Sequence, residues 1–178
     1  MLVYDLRELY AAEGQMMDAM PDMIENADSA SLKETLREHL RITGNHRARL
    51  EEIRRILGEN DIDDRKRGAL ADLFGGTYKS RGMEGLLDEA QKKMSEDMEA
   101  NVMDAAIIGC AQKVEHYEIC GYGTARTYAL QLGYTAVADL LQETLDEEHE
   151  ADDRLTALAV AGLNQKAEVG SNTRRSDR

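Results

Sequence analysis

The placement of helix breakers restricts this chain more than any other feature. Pro21 is the one proline in 178 residues, and the other strong stops are few, so the chain divides into long helical stretches. Periodicity predicts helices over about Leu2–Asn26, Ser31–Leu57, Ala100–Leu132 and Ala136–Leu163. Asp28, Ser29 and Ser31 offer N-caps for the second helix. Gly58 and Gly133 follow the second and third helices, where a left-handed terminal residue belongs. The first two helices are joined by a few residues, as are the last two, and short links make antiparallel neighbours. The link between the second and third helices is much longer, residues 58–99. Its glycine-rich first part, 58–82, is expected to be loop with a helical turn near Leu70, followed by a short helix over Met83–Glu96. The result is an all-α four-helix bundle made of two hairpins joined by a long crossover. Pro21 should kink the first helix, or end its regular part, near Met17. The bundle domain is placed at residues 1–166, and the polar tail 167–178 is expected to be disordered.

Composition agrees with helix and excludes several function classes. Hydrophobic residues make up 42%, with one phenylalanine and no tryptophan, while alanine and methionine are plentiful. The net charge of −13 and pI of about 4.7 argue against nucleic acid and against anionic membrane surfaces, both of which attract basic patches. No apolar run is long enough to span a bilayer, and no leader pattern opens the sequence; the expectation is a cytoplasmic protein. Cys110 and Cys120 lie on one predicted helix, roughly 15 Å apart, too far to bond to each other. They read as small buried hydrophobes in a reducing compartment.

Hairpin, crossover, hairpin is the connectivity of ferritin-like bundles, so the inner faces decide the function. A 4-3-4-3 path traces the seam of each helix. The first gives Leu2, Leu6, Leu9, Glu13, Met16 and Met20; the second gives Leu32, Leu36, His39, Thr43, His46, Leu50, Ile53 and Leu57. The third gives Ile108, Ala111, Glu115, Glu118, Tyr122, Ala125, Ala129 and Leu132, and the fourth Val137, Leu141, Thr144, Glu148, Ala151, Leu155 and Leu158. Every seam is apolar at its ends and polar in its middle. An ionised carboxylate in a dry core costs several kcal/mol, and Glu13, Glu115, Glu118 and Glu148 would also repel one another. No lysine or arginine lies on these seams, which leaves protons or metal ions to neutralise them. Carboxylate with imidazole suits iron, manganese or zinc. The competing readings are a hydrated polar layer, or seams displaced by one position. In the acidic run "ETLDEEHEADD" only Glu148 is on the seam; Glu143, Glu147, His149, Glu150 and Asp153 read as surface, with Asp152 at the edge.

At these residues the sequence becomes recognisable. "LYAAEGQ", "DAAIIGCAQKVEHYEICGYGTARTYALQLG" and "LLQETLDEEHEADDRLTALA" resemble the YciE/YciF family of bacterial stress-associated proteins, within the ferritin-like superfamily, from Leu6 to Ala167. The resemblance implies a homodimeric ferritin-like bundle with a one- or two-metal centre of iron or manganese. The implied ligands are Glu13, His46, Glu115, Glu118 and Glu148. The chain departs from the ferritin-like pattern in two places. The carboxylate expected three residues before His46 is absent, Thr43 standing there after Arg41 and Ile42, and Ala151 stands where a histidine would follow Glu148. A bridging carboxylate holds two metals together, so its loss points to one ion, weak binding or none. His39 is a substitute in kind, but about 10 Å along the axis separates it from His46, far for one shared ion. Three function classes follow: an iron- or manganese-binding protein for storage, peroxide removal or sensing; a di-iron oxidoreductase, with Tyr117 and Tyr122 as gate or relay; or a helical stress or scaffold protein that keeps the fold without metal.

Overall fold

The computed structural model describes residues 1–59 and 78–163. The turn expected near Leu70 and the tail 167–178 lie outside these residues. Among the described residues there are five α-helices: α1 (Leu2–Asn26), α2 (Ala30–Glu59), α3 (Arg81–Met94), α4 (Ala100–Gln131) and α5 (Thr135–Leu158). A wider-wound turn, Ala159–Leu163, follows α5.

The stops work as the local chemistry requires. Ser29 caps α2 through Leu32 N–H to its Oγ (3.4 Å). Gly133, at φ 79°, closes α4 with the paired bonds of a Schellman turn, Gly133 N–H to Leu130 O (3.1 Å) and Tyr134 N–H to Ala129 O (2.9 Å). The last helix stops earlier than expected. Regular winding ends at Leu158, and Gly162 takes φ 120°, a backbone conformation that other residues rarely adopt. Pro21 neither ends α1 nor divides it; the helix runs through to Asn26 with Pro21 inside. Pro21 is exposed and Met17 partly so, so water can satisfy the Met17 carbonyl that proline leaves without a donor.

Helices α1 and α2 form one hairpin and α4 and α5 the other; α1 packs on α4 and α2 on α5. The apolar clusters give the directions. Leu2, Leu6 and Leu9 of α1 meet Leu50, Ile53 and Leu57 of α2, Ala125 and Ala129 of α4, and Val137 and Leu141 of α5 at one end of the bundle. Met16, Met20 and Met23, Leu32 and Leu36, Ile107 and Ile108, and Leu155 gather at the other. Thus α2 and α4 run parallel, and their connection must return along the whole bundle. The returning part, α3, packs outside the α1/α4 face. Its start is pinned by Ser80: the Gln15 amide bonds both Ser80 N–H (2.7 Å) and Ser80 O (3.3 Å), Tyr117 and Ser80 hydroxyls lie 2.8 Å apart, and Ser80 Oγ accepts from Met83 N–H (3.3 Å).

The seams are the buried faces. Every seam position of α1 and α2 is buried, as are those of α4 and α5 except two. Leu132 is 60% exposed because it lies beyond the last turn of α4, and Leu158 is half-buried at the frayed end of α5. The cysteines are free, as expected, but only Cys110 is buried; Cys120 faces out.

One buried acid off the seams ties the hairpins together. Asp104 of α4 is 1% exposed and accepts Asp28 N–H (2.7 Å) and Ser29 N–H (2.9 Å) from the α1–α2 turn. A hydrogen bond to a charged group contributes about 1.5–3 kcal/mol, and a buried donor left alone costs about as much. Asp104→Ala should therefore destabilise the fold by about 2–4 kcal/mol, and Asp104→Asn by less, read as the midpoint of urea unfolding. A change below 0.5 kcal/mol (a threshold at the scale of neutral surface substitutions) in both variants would show that the turn does not depend on Asp104.

Candidate metal centre

Between the two apolar clusters lies a polar layer to which all four bundle helices contribute. Glu13 of α1, His39 and His46 of α2, Glu115 and Glu118 of α4, and Glu148 of α5 are all buried. Their donor atoms fall into two groups whose members lie within 4.8 Å of one another: His39, Glu115, Glu118 and Glu148, and Glu13, His46 and Glu148. Glu148 belongs to both. In the first group His39 Nε2 is 3.4 Å from Glu115 Oε1. In the second, His46 Nδ1 is 2.9 Å from Glu148 Oε1 and 3.4 Å from Glu13 Oε1.

Each of the six side chains keeps at least one buried atom without a hydrogen bond: Glu13 Oε2, both ring nitrogens of His39, His46 Nδ1, Glu115 Oε2, Glu118 Oε1 and both oxygens of Glu148, with His46 Nδ1 and Glu148 Oε1 facing each other as an ion pair only. Buried polar atoms are normally satisfied, and a cluster of exceptions marks a missing ion or a strained site. The unsatisfied atoms are oxygen and imidazole nitrogen, the donor set of first-row transition metals. The residues present therefore fit a metal centre.

The surroundings brace one half of this layer. The Tyr122 hydroxyl donates to Glu13 Oε1, and its ring meets that of His46 edge-on at 6.2 Å. His46 Nε2–H donates to Glu147 Oε2 (2.9 Å). Glu147 is itself held by both amino groups of Arg49 (2.6 and 2.8 Å), and Arg49 also donates to Thr144 (3.1 Å). A carboxylate on the far nitrogen of a ligating histidine fixes its ring and tautomer. Thr43 Oγ1 bonds the His39 carbonyl of its own helix (3.0 Å).

Burial sets the charges in the metal-free layer. Desolvation, then repulsion from neighbouring carboxylates, holds Glu115 and Glu118 well above the usual carboxylate range. Burial also raises Glu13, against the pull of His46, and pushes the Tyr122 hydroxyl well up. Burial opposes a charged His46, but Glu13 and Glu148 outweigh it and push its pKa up to about 10. Burial would raise Glu148 too, yet His46 holds it below the ordinary value. His39, desolvated, is pushed down and stays neutral. Protons thus neutralise the layer when no metal does so.

All five ligands expected from the sequence, Glu13, His46, Glu115, Glu118 and Glu148, come together. His39, a substitute in kind, is far from His46 only for one shared ion. With two donor groups sharing Glu148, its distance from His46 is no obstacle, and its seam position was the signal. Glu147 was read as surface, but it is half-buried and binds His46 and Arg49. The α2–α5 contact that makes it so leaves no mark in the periodicity.

A model of the family described as "Domain of unknown function (DUF892)" matches residues 1–168. Protein YciF of Escherichia coli K12 is 36% identical over 166 residues, 93% of this chain and 92% of that protein. The crystal structure of the E. coli stress protein YciF superposes with a TM-score of 0.79 at 34% identity, covering 92% of this chain and 94% of that one. The protein YcfI of Rhodopseudomonas palustris gives 0.76 at 34% identity over 87% and 90%. A protein of Xanthomonas campestris gives 0.61 at 22% identity over 93% and 95%, a likeness of fold alone.

The raised carboxylates fix the sign of a pH dependence. A carboxyl whose folded pKa exceeds its ordinary 4.5 gives its full stability below that value and loses it as pH rises through the folded pKa. His46, raised to about 10, gives its full contribution below its ordinary 6.5 and does not oppose this. Glu148, lowered, begins to lose its contribution only on falling below 4.5. His39, lowered, works the other way, losing stability as pH falls below its ordinary 6.5, but it is one group against the raised Glu13, Glu115 and Glu118. The metal-free protein should therefore be more stable at pH 5 than at pH 7, each raised carboxyl contributing up to about 1.4 kcal/mol per pH unit and His39 offsetting part of the sum. Glu118→Gln should raise metal-free stability at pH 7 by about 1–3 kcal/mol and flatten the profile, whereas Glu25→Gln on the exposed side of α1 should do neither. Denaturant melts at both pH values decide the matter; identical profiles for the two variants would place Glu118 in water.

Proposed function

The chain belongs to the DUF892 family, and from that premise we propose that it is an iron- or manganese-binding protein whose bundle, taken as one domain over residues 1–166, holds two ions side by side. One observation carries this reading: six buried side chains at mid-bundle point unsatisfied oxygen and imidazole atoms at one another. Four carboxylates with two imidazoles is also the ligand inventory of di-iron and di-manganese carboxylate bundles. Here the inventory is distributed differently, with both histidines on α2 and a carboxylate pair on α4. His39 would supply the imidazole lacking at Ala151, and Glu148, within reach of both donor groups, would stand in for the carboxylate lacking on α2.

His39, Glu115 and Glu118 would hold one ion, Glu13 and His46 the other, and Glu148 both. A divalent iron or manganese ion held there would supply electron transfer to an oxidant. The chain's own residues supply the rest. Tyr122 holds Oε1 of Glu13 so that Oε2 faces the layer. Arg49 and Glu147 hold His46 so that Nδ1 faces Glu13 and Glu148. The apolar clusters on either side exclude water, and exclusion strengthens every charge interaction inside. This ranks metal binding ahead of a metal-free scaffold role.

A homodimer belongs to the same reading, and methionines, Met1 apart, do not supply its surface. Met16, Met20, Met23, Met83 and Met103 are core residues. The exposed apolar side chains include Met1, Tyr4, Leu130 and Leu132, from the start of α1 and the end of α4 at one end of the bundle. Light scattering at micromolar concentration should report twice the 19.9 kDa chain mass; a particle of single-chain mass overturns the dimer.

The metal reading has its own test. Calorimetric titration of metal-free protein with Mn(II), followed by elemental analysis after desalting, should give two ions per chain. His39→Gln should give one and Glu148→Gln should weaken both. A wild-type chain that binds no manganese and no iron returns the protein to the scaffold class.

A further inference from the structure

We propose that metal ions reach the centre through the α2/α5 face, past an acidic mouth at Glu150 and a gap left by Ala151, with His39 as the first inner ligand. This inference rests on the two-ion reading above. A larger recess of about 220 Å³ opens on the α1/α4 face, but no member of either donor group lines it. Helix α3 lies over part of that face. Arg47 lies over the Tyr10 ring between α1 and α2, 4.5 Å from its centre. Gln112 bridges α4 to Asp152 (3.0 Å) and Thr156 (2.9 Å) of α5. On the α2/α5 face a recess of about 10 Å³ opens over His39, with Ala151, Glu147, Glu150 and Arg154 of α5 among its walls. That volume is the room of a single water-sized sphere.

His39 is the reason to read the recess as a passage rather than a packing flaw. It is only 6% exposed, and neither ring nitrogen has a hydrogen-bond partner. The same side chain lines the recess and belongs to an inner donor group. A histidine in both places gives an incoming cation continuous ligation. Ala151 makes this geometry: a larger residue there would fill the space above His39.

The charges at the mouth are suited to a divalent cation under control. Glu147 is occupied by His46 and Arg49. Glu150 is free to turn outward and pairs with Arg154 (2.5 Å), both being largely exposed. An acidic group at a narrow mouth lowers the energy of a cation there and speeds its passage both ways. Arg154 opposes this by claiming Glu150 and by placing a positive charge beside the recess. Two surface substitutions should therefore act in opposite directions.

The probe is Co(II), mixed with metal-free protein in a stopped-flow instrument and followed by its visible absorption, with release followed by excess chelator. Glu150→Gln should slow uptake and release about three- to tenfold, with the final amplitude kept. Arg154→Gln should speed uptake by a similar factor. Ala151→Leu should slow it by more than about tenfold, and a melt would verify that this variant folds. Glu25→Gln should match wild type. The Glu150 effect should shrink as salt rises from about 0.01 to 0.15 M, because screening shortens the reach of an exposed charge. Wild type that takes up no metal sinks the metal reading, and the route with it. Normal uptake whose rate is unmoved by Glu150→Gln and Arg154→Gln overturns the route and leaves the metal centre standing.

Discussion

Four carboxyl groups buried in one layer form the constraint around which the bundle is built. A buried charge is tolerated only when paired or neutralised, and a bundle core normally avoids the problem by being apolar throughout. This chain accepts it at mid-height and compensates at both ends. Leu2, Leu6, Leu9, Leu50, Ile53 and Leu57 close one side and Met16, Met20, Met23, Leu32 and Leu36 the other. Each fully buried leucine contributes about 1.5–3 kcal/mol, so two such clusters can carry a layer that is unfavourable by itself. The dry caps in turn keep water from satisfying the carboxyl groups, which leaves protons or, on the proposal above, cations to do so.

On the two-ion proposal, the ligand arrangement is a permutation rather than a loss. Against the ferritin-like pattern two positions stand vacant, a carboxylate before His46 and a histidine after Glu148. Buried donors from other helices, Glu148 and His39, lie in the same layer. A four-helix layer permits this because its ligands converge from all sides; what matters is that the donor atom reaches the axis at the right height. His39, near the level of Ala151, can replace an imidazole from α5. Glu148 can face both groups because it has a donor atom within 4.8 Å of each, with Oε1 2.9 Å from His46 Nδ1.

The same distinction separates what the sequence revealed from what it hid. Seams follow from the 3.6-residue period, a property of each helix alone, and the seam trace therefore found the core and the polar layer together. It failed where a residue's surroundings depend on another helix. Asp104 reaches back to Asp28 and Ser29, and Glu147 reaches across to His46 and Arg49. Neither position differs locally from the solvated acids beside it. The end of regular helix expected near Pro21 fails for a related reason. The rule that proline breaks helices assumes its orphaned carbonyl goes unsatisfied, whereas Pro21 lies on an exposed stretch of α1 where water can reach. Cys120 sits two residues after buried Glu118 yet faces out, because residue type is a weaker guide to burial than helix phase.

The two halves of the layer are not equivalent, and the difference gives it a direction. His46 is braced by Glu147 and Arg49, Glu13 by Tyr122, and the leucine-rich cluster lies on that side. His39 has no hydrogen-bond partner at either nitrogen and sits toward the methionine-rich cluster, where flexible thioether side chains adapt to small shifts. Preorganised donors bind with little ordering cost, while unbraced donors must be ordered by the ion itself. On the two-ion proposal, the braced half would hold an ion with less ordering than the unbraced half. Glu148, common to both donor groups, would be within reach of an ion in either. Such an asymmetric pair would suit retention at one position and exchange at the other. The asymmetry arises from the same permutation that placed both histidines on α2.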